Sequence, residues 1–144
     1  MMKIREANSG DAEALAHLSA QLGYPAEAAT IARWLDGIVL HNAGVVFVAE
    51  TEDGRVVGSA HVLVECSIVD EPKAHLADLV VDESCRSQGI GSALLRTCEG
   101  WACDKGLARM RVNSNVVRER AHRFYLREGY AEAKRQAVFI KPLI

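Results

Sequence analysis

Leu15, Leu18 and Leu22 recur three or four positions apart, the spacing of one helix face, and Ser9 and Asp11 ahead of them supply a cap and a first-turn acid. Gly23 closes that helix. Pro25 opens a second, in which Ile31, Trp34, Leu35 and Ile38 share a face up to about His41-Asn42. The pattern then changes period. Val45 to Glu50 and Arg55 to Cys66 are rich in β-branched residues and flank the turn Glu52-Asp53-Gly54, which predicts a β-hairpin. Leu76 to Val81 reads as a further strand, and a loop through Gln88 leads to a helix striped by Ile90, Leu94, Cys98 and Trp101, ending near Lys105-Gly106. Arg109 to Val112 (strand), Arg118 to Glu128 (helix, stopped by Gly129) and Ala137 to Lys141 (strand) complete the order. With a short strand over Lys3 to Ala7, it is βααβββαβαβ, a mixed α/β domain.

Composition narrows the picture without changing it. The 144 residues are 49% hydrophobic and 25% charged, enough core for a single domain over 1–144 and no room for a second. No apolar run reaches the roughly 18 residues of a membrane span, and Met1 to Glu6 lacks a signal peptide's apolar stretch, so a cytoplasmic protein is expected. Cys66, Cys85, Cys98 and Cys103 have neither Cys-x-x-Cys spacing nor paired histidines, which predicts reduced thiols and no metal site. A net charge of −2 argues against nucleic-acid binding by bulk electrostatics.

The stretch from Leu79 to Leu95 carries the chemistry: a strand, a loop and a helix start with Gly89 and Gly91 at the junction. Glycines there leave backbone N–H groups open to an anion, and the helix dipole adds about half a positive charge. A pair of glycines before a helix also serves as a plain turn; Arg86 at the rim favours a pyrophosphate seat. The Gly-Lys-Ser/Thr of a nucleotide-triphosphate loop is absent, and Leu94 stands where a dinucleotide fingerprint wants a small residue.

Arg86-x-x-Gly89-x-Gly91 resembles the Arg/Gln-x-x-Gly-x-Gly/Ala signature of the GCN5-related N-acetyltransferases (GNAT). Ala121-His122-Arg123-Phe124-Tyr125-Leu126-Arg127-Glu128-Gly129-Tyr130 is similar to that family's Ala-x-x-Phe-Tyr-x-x-x-Gly-Phe/Tyr segment, with a likeness to the bacterial aminoalkylphosphonate and aminoglycoside branches. The resemblance implies acetyl-CoA as cosubstrate, a small-molecule primary amine as acceptor, direct attack and a homodimer; transfer to a protein or peptide amine, and a non-catalytic acyl-CoA-binding module, are the alternatives. It implies cofactor contacts from Leu79, Val80, Val81, Arg86, Ser87, Gln88, Gly89, Ile90, Gly91 and Ser92, with the N–H of Leu79 or Val80 polarising the thioester carbonyl. Two positions depart from the pattern: Ser87 stands where many members have Gly, and Arg118 where many have Asn, so Asn115 or Asn113 is the substitute candidate.

By helical spacing alone Tyr125 reads as a core aromatic; the family match makes it the general acid, a phenol with a reference pKa of about 10 matched to a thiolate leaving group. For the base, Asp78 is preferred, with His75 second and Glu65 third; strict alternation puts positions 75 and 78 on opposite faces unless a bulge intervenes. Tyr24 and Trp34 read as core or lid residues. His122 and the arginines 118, 120, 123 and 127 read as a solvated helix face, with Arg123 alternatively near the adenosine end of CoA.

Overall fold

The computed structural model describes residues 2–41 and 44–144 and divides into two compact units, one running to Asn113 and the other from Ser114 to Ile144. In the first, β1 (Lys3–Glu6), β2 (Val45–Glu50), β3 (Val56–Glu65), β4 (Lys73–Val81) and β5 (Met110–Val112) form one sheet in that order, antiparallel except for the parallel β4–β5 pair. The β2–β3 hairpin turns at Glu52-Asp53-Gly54, closed by Thr51 N–H to the Arg55 carbonyl at 2.9 Å. Helices α1 (Ala12–Gln21) and α2 (Ala28–Leu40) cover one face, where Leu15, Leu35 and Val48 form a buried cluster.

Helix α3 (Ile90–Asp104) covers the other face, burying Ile90, Leu94, Leu95, Cys98 and Ala102. Gly58 of β3 permits this close approach: a Cβ there would lie 3.0 Å from Leu94 Cδ1 and 3.2 Å from Ile90 Cγ2. Arg5 of β1 fastens the sheet to the start of α1, donating to both Asp11 carboxylate oxygens at 2.9 Å and to Glu50 at 3.1 Å.

Three expectations are corrected. The cap before the first helix is Asn8, not Ser9. The Asn8 side-chain oxygen accepts from Gly10 N–H and the Asp11 carboxylate accepts from Asn8 N–H, so Ser9–Asp11 form a tight 3-10 turn and α1 starts at Ala12. The second helix starts at Ala28 rather than Pro25, and Asn42 at its expected end lies outside the described residues.

The final strand is absent. The second unit holds α4 (Glu119–Arg127), and residues 131–144 pair with no strand, leaving Val138, Phe139 and Ile140 exposed. Strand propensity alone does not make a strand: its backbone groups need a ladder partner, and none is present among the described residues.

Candidate active site

The site of the first unit is built on β4. Among the described residues this strand pairs with β5 only through Ala74, His75 and Leu76, so residues 77–81 have no strand partner on that side while β3 holds the other. A free edge of alternating N–H and C=O groups can accept an extended, amide-bearing chain as if it were another strand. Leu79, Val80 and Val81 lie along it.

Beyond Val81 the chain is strapped in place. Asp82 N–H donates to the Val57 carbonyl at 2.8 Å, and the Asp82 carboxylate accepts from Ser84 N–H and Oγ and faces His17 of α1 at 3.3 Å. Gln21 Oε1 accepts from Glu83 N–H at 2.9 Å. These contacts fix the loop Arg86–Gly89, which is exposed, against the start of α3.

Gly89 precedes α3 at φ +81° and no side chain caps the helix. Its first intrahelical bond is Ala93 N–H to the Gly89 carbonyl, so the N–H groups of Ile90, Gly91 and Ser92 have no acceptor among the described residues. A Cβ at Gly89 would meet no protein atom within 4 Å, so the space before the helix is open to a ligand. Ser87 also adopts the left-handed region, at φ +67°, the one non-glycine to do so among the described residues. That conformation explains why glycine suits this position and assigns serine a strain of about 1 kcal/mol.

The face question at positions 75 and 78 has a structural answer. In the β3–β4 ladder Val62 opposes Leu76 and His61 opposes Asp78, so Ala77 is an extra residue, a bulge. The alternation slips by one there, and His75 and Asp78 fall on the face that carries Leu63 and His61. They do different things on it. His75 Nδ1 lies 3.3 Å from Glu65 Oε1, in a cluster where Glu65 also approaches Lys73 at 3.6 Å and Arg111 at 3.5 Å.

Asp78 lines a pocket of about 380 Å³ between the sheet and helices α1 and α2, with Ser59, His61, Ala77 and Val80 on the sheet side. It sits deep among protein atoms yet keeps an opening to the pocket, and burial pushes its carboxyl up to about 6. His61 was missed by sequence reasoning. Its Nε2 is buried with no hydrogen-bond partner among the described residues, and burial, then the neighbouring His75, pushes its pKa down.

Tyr24 and Trp34 also line the pocket, 68% and 59% exposed, which corrects the core reading and leaves them at the rim. A second depression, about 540 Å³ beside the β2–β3 turn, is lined by Met2, Lys3, Glu50, Thr51, Glu52 and Gly54, away from β4 and the start of α3.

Thiolate chemistry at Cys98 is disfavoured by the same packing. The buried Cys98 thiol is pushed up to about 12, first by burial and then by Asp78 and Glu99, so it is not a thiolate near neutral pH. All four cysteines are free.

In the second unit Tyr125 is half-buried on α4, its ring edge-on to Phe124 at 5.1 Å and to Tyr130 at 5.8 Å, and its carbonyl accepts from Tyr130 N–H at 2.9 Å. Asn115 is engaged locally: its side-chain oxygen accepts from Val117 N–H and its carbonyl from Arg118 N–H and His122 Nε2. Asn113 Oδ1, in the first unit, accepts from Arg111 Nε at 3.1 Å. The arginines 118, 120, 123 and 127 are exposed, as expected of a solvated face.

Comparison with known proteins identifies the family and the fold. The model of the "Acetyltransferase (GNAT) family" matches residues 12–130. An aminoglycoside N(6')-acetyltransferase type 1 from Stenotrophomonas maltophilia is 31% identical, the alignment covering 97% of this chain and 93% of that protein. The aminoalkylphosphonate N-acetyltransferase of Salmonella typhimurium is 43% identical over 58 residues, 40% of this chain and 38% of that one. Among solved structures, an aminoglycoside acetyltransferase, AAC(6')-Iy, in complex with a CoA-linked bisubstrate analogue superposes with a TM-score of 0.85 at 20% identity, covering 99% of each chain. The chain belongs to the GNAT family of acetyltransferases.

Proposed function

We propose that the protein transfers the acetyl group of acetyl-CoA to a primary amine of a small molecule by direct attack. The observation that carries this is the succession, along one strand–loop–helix segment, of an open edge at 77–81 with Asp78 facing a pocket, and an uncapped helix start at Gly89–Ser92. These residues fit acetyl-CoA. The N–H groups of Ile90, Gly91 and Ser92 suit a pyrophosphate, with Arg86, Ser87 and Gln88 at its rim, and the edge of Leu79, Val80 and Val81 suits an amide-bearing arm. The cosubstrate supplies an activated acyl thioester.

Asp78 is the base. Held at about 6, its carboxylate is ionised at neutral pH and basic enough to draw a proton from a bound ammonium, directly or through water. His75, already paired with Glu65, is a positioning residue for that cluster. Tyr125 is the acid that protonates the departing thiol, its ring orientation fixed by Phe124 and Tyr130. A C–N bond forms and the thioester C–S bond breaks; the nitrogen sheds two protons, one from the ammonium to Asp78 and one after attack, which replaces the proton Tyr125 gives to the sulfur. The high Cys98 value supports attack without an acetyl-enzyme.

Both units are taken as one catalytic domain, because the family match at 12–130 runs across their boundary. Asn115 is retained as a cofactor contact near that boundary. A homodimer formed through the last residues is supported by the exposed Val138, Phe139, Ile140 and Leu143, which need a partner to leave water. Free cysteines, two of them buried, support a reducing compartment such as the cytoplasm; among the described residues no helix is long and apolar enough to cross a membrane.

The test is CoA release with a panel of primary amines, for the parent and Tyr125→Phe. The variant should bind acetyl-CoA as the parent does and lose about 10²–10⁴-fold in kcat. Unchanged turnover removes the acid assignment, and no CoA release with any amine removes the enzyme reading.

A further inference from the structure

The lining of the pocket beside Asp78 says what kind of amine it takes, given that the pocket is the acceptor site proposed above. Fourteen residues line it, and Asp78 is the one carboxylate among them, with Ser19, Ser59 and His61 the other polar side chains besides the rim residues Tyr24 and Trp34. The wall opposite the sheet is apolar: Leu15, Ile31, Leu35 and Ile38 from α1 and α2, closed at the rim by the exposed rings of Tyr24 and Trp34.

One ammonium can be matched there. Asp78 supplies the counter-charge, and the neutral imidazole of His61, directly across the strand pair with its Nε2 unpartnered, can accept a hydrogen bond from the same group. A second or third ammonium would lie against leucine and isoleucine, desolvated and without a carboxylate, which costs several kcal/mol per ion. An aromatic body, by contrast, buries its faces against those side chains and the Trp34 ring.

We propose that this pocket takes a primary monoamine with an apolar, aromatic body, its ammonium held between Asp78 and His61, and that it rejects polycationic aminosugars. The GNAT relative of 31% identity is an aminoglycoside acetyltransferase, so the proposal separates this chain from that relative by the charge count of its pocket.

Binding and turnover test it separately. Calorimetric titration of the CoA-loaded protein with 2-phenylethylamine and with kanamycin, a polycationic aminosugar, reads the pocket whether or not chemistry follows. The expected result is 2-phenylethylamine at least tenfold tighter than kanamycin, weakened about tenfold by Trp34→Ala and by Asp78→Asn. Kanamycin binding as tightly or more tightly, no binding of 2-phenylethylamine, or binding indifferent to both substitutions overturns the proposal. Trp34 is 59% exposed, so its alanine variant keeps the fold, and far-UV circular dichroism checks this. If 2-phenylethylamine binds as expected but acetyl-CoA plus the amine releases no CoA, the pocket assignment stands and the transferase reading fails. If kanamycin alone is acetylated, the reverse holds.

Discussion

Replacing Asp78 by Asn should make the protein more stable and less active, and the size of the gain follows from burial. The carboxyl ordinarily titrates at 3.8 and is held at about 6 in the fold, a rise of about two pH units. At 1.36 kcal/mol per unit the fully ionised side chain costs the fold about 3 kcal/mol; its opening to the pocket reduces this to about 1–2 kcal/mol. The sign is that of an acid with a raised value: the folded form holds its proton more tightly, so stability falls as pH rises from 3.8 to about 6 and stays lower above that.

Asparagine has nearly the same shape and no charge. Asp78→Asn should therefore exceed the parent by about 1–2 kcal/mol at pH 8, which for a chain of this size raises Tm by roughly 3–8 °C. The difference should shrink below pH 6 and close near 3.8. Urea unfolding of both proteins at pH 8, 6 and 5 reads it. A variant less stable than the parent at pH 8, or a difference that does not change with pH, refutes the reasoning.

Two further predictions concern other parts of the fold. Ser87→Gly should remove the strain at φ +67°, offset in part by the flexibility glycine adds to the unfolded chain, for a net gain of up to about 0.5 kcal/mol in unfolding free energy from urea titration; a loss of stability contradicts the strain assignment. Arg5→Ala should cost about 2–3 kcal/mol at pH 7, because Asp11 is left buried without its partner. The hydrogen bonds from Arg5 hold Asp11 below its ordinary 3.8, so the parent's advantage is present above 3.8 and lost as pH falls below it. Acid-unfolding curves of the two proteins should converge at low pH, and parallel curves contradict the assignment.

What was legible in the sequence was what is local. The phosphate seat proposed at Arg86–Ser92 lies on one contiguous strand–loop–helix junction, and its glycines and periodicity mark that junction without any distant partner. Asp78 was legible as a candidate for the same reason. Its relation to His75 was not, because it depends on the Ala77 bulge, and a bulge has no signal in an alternating strand until the neighbouring register is known.

His61 escaped on similar grounds. Ser59, His61 and Glu65 do mark a polar period of two along an otherwise apolar strand, yet only the pairing of β3 with β4 sets His61 opposite Asp78. Tyr24 and Trp34 read equally as core or lid because spacing gives the face of a helix, not how far its neighbour covers it; their exposure removes the core half of that reading. The strand expected at Ala137–Lys141 failed because a strand is completed by a second chain segment that no local pattern supplies.

The claim on which the account turns is that the start of α3 seats the pyrophosphate of acetyl-CoA. Calorimetric titration of acetyl-CoA into the parent and into Gly89→Trp tests it most directly. A Cβ at position 89 meets no protein atom within 4 Å, so a bulky residue there starts in open space and costs local backbone strain rather than core packing. The account predicts micromolar binding to the parent and its loss in the variant, with both proteins folded by circular dichroism. No binding to the parent, or equal binding to the two, contradicts it and leaves Gly89 a turn residue.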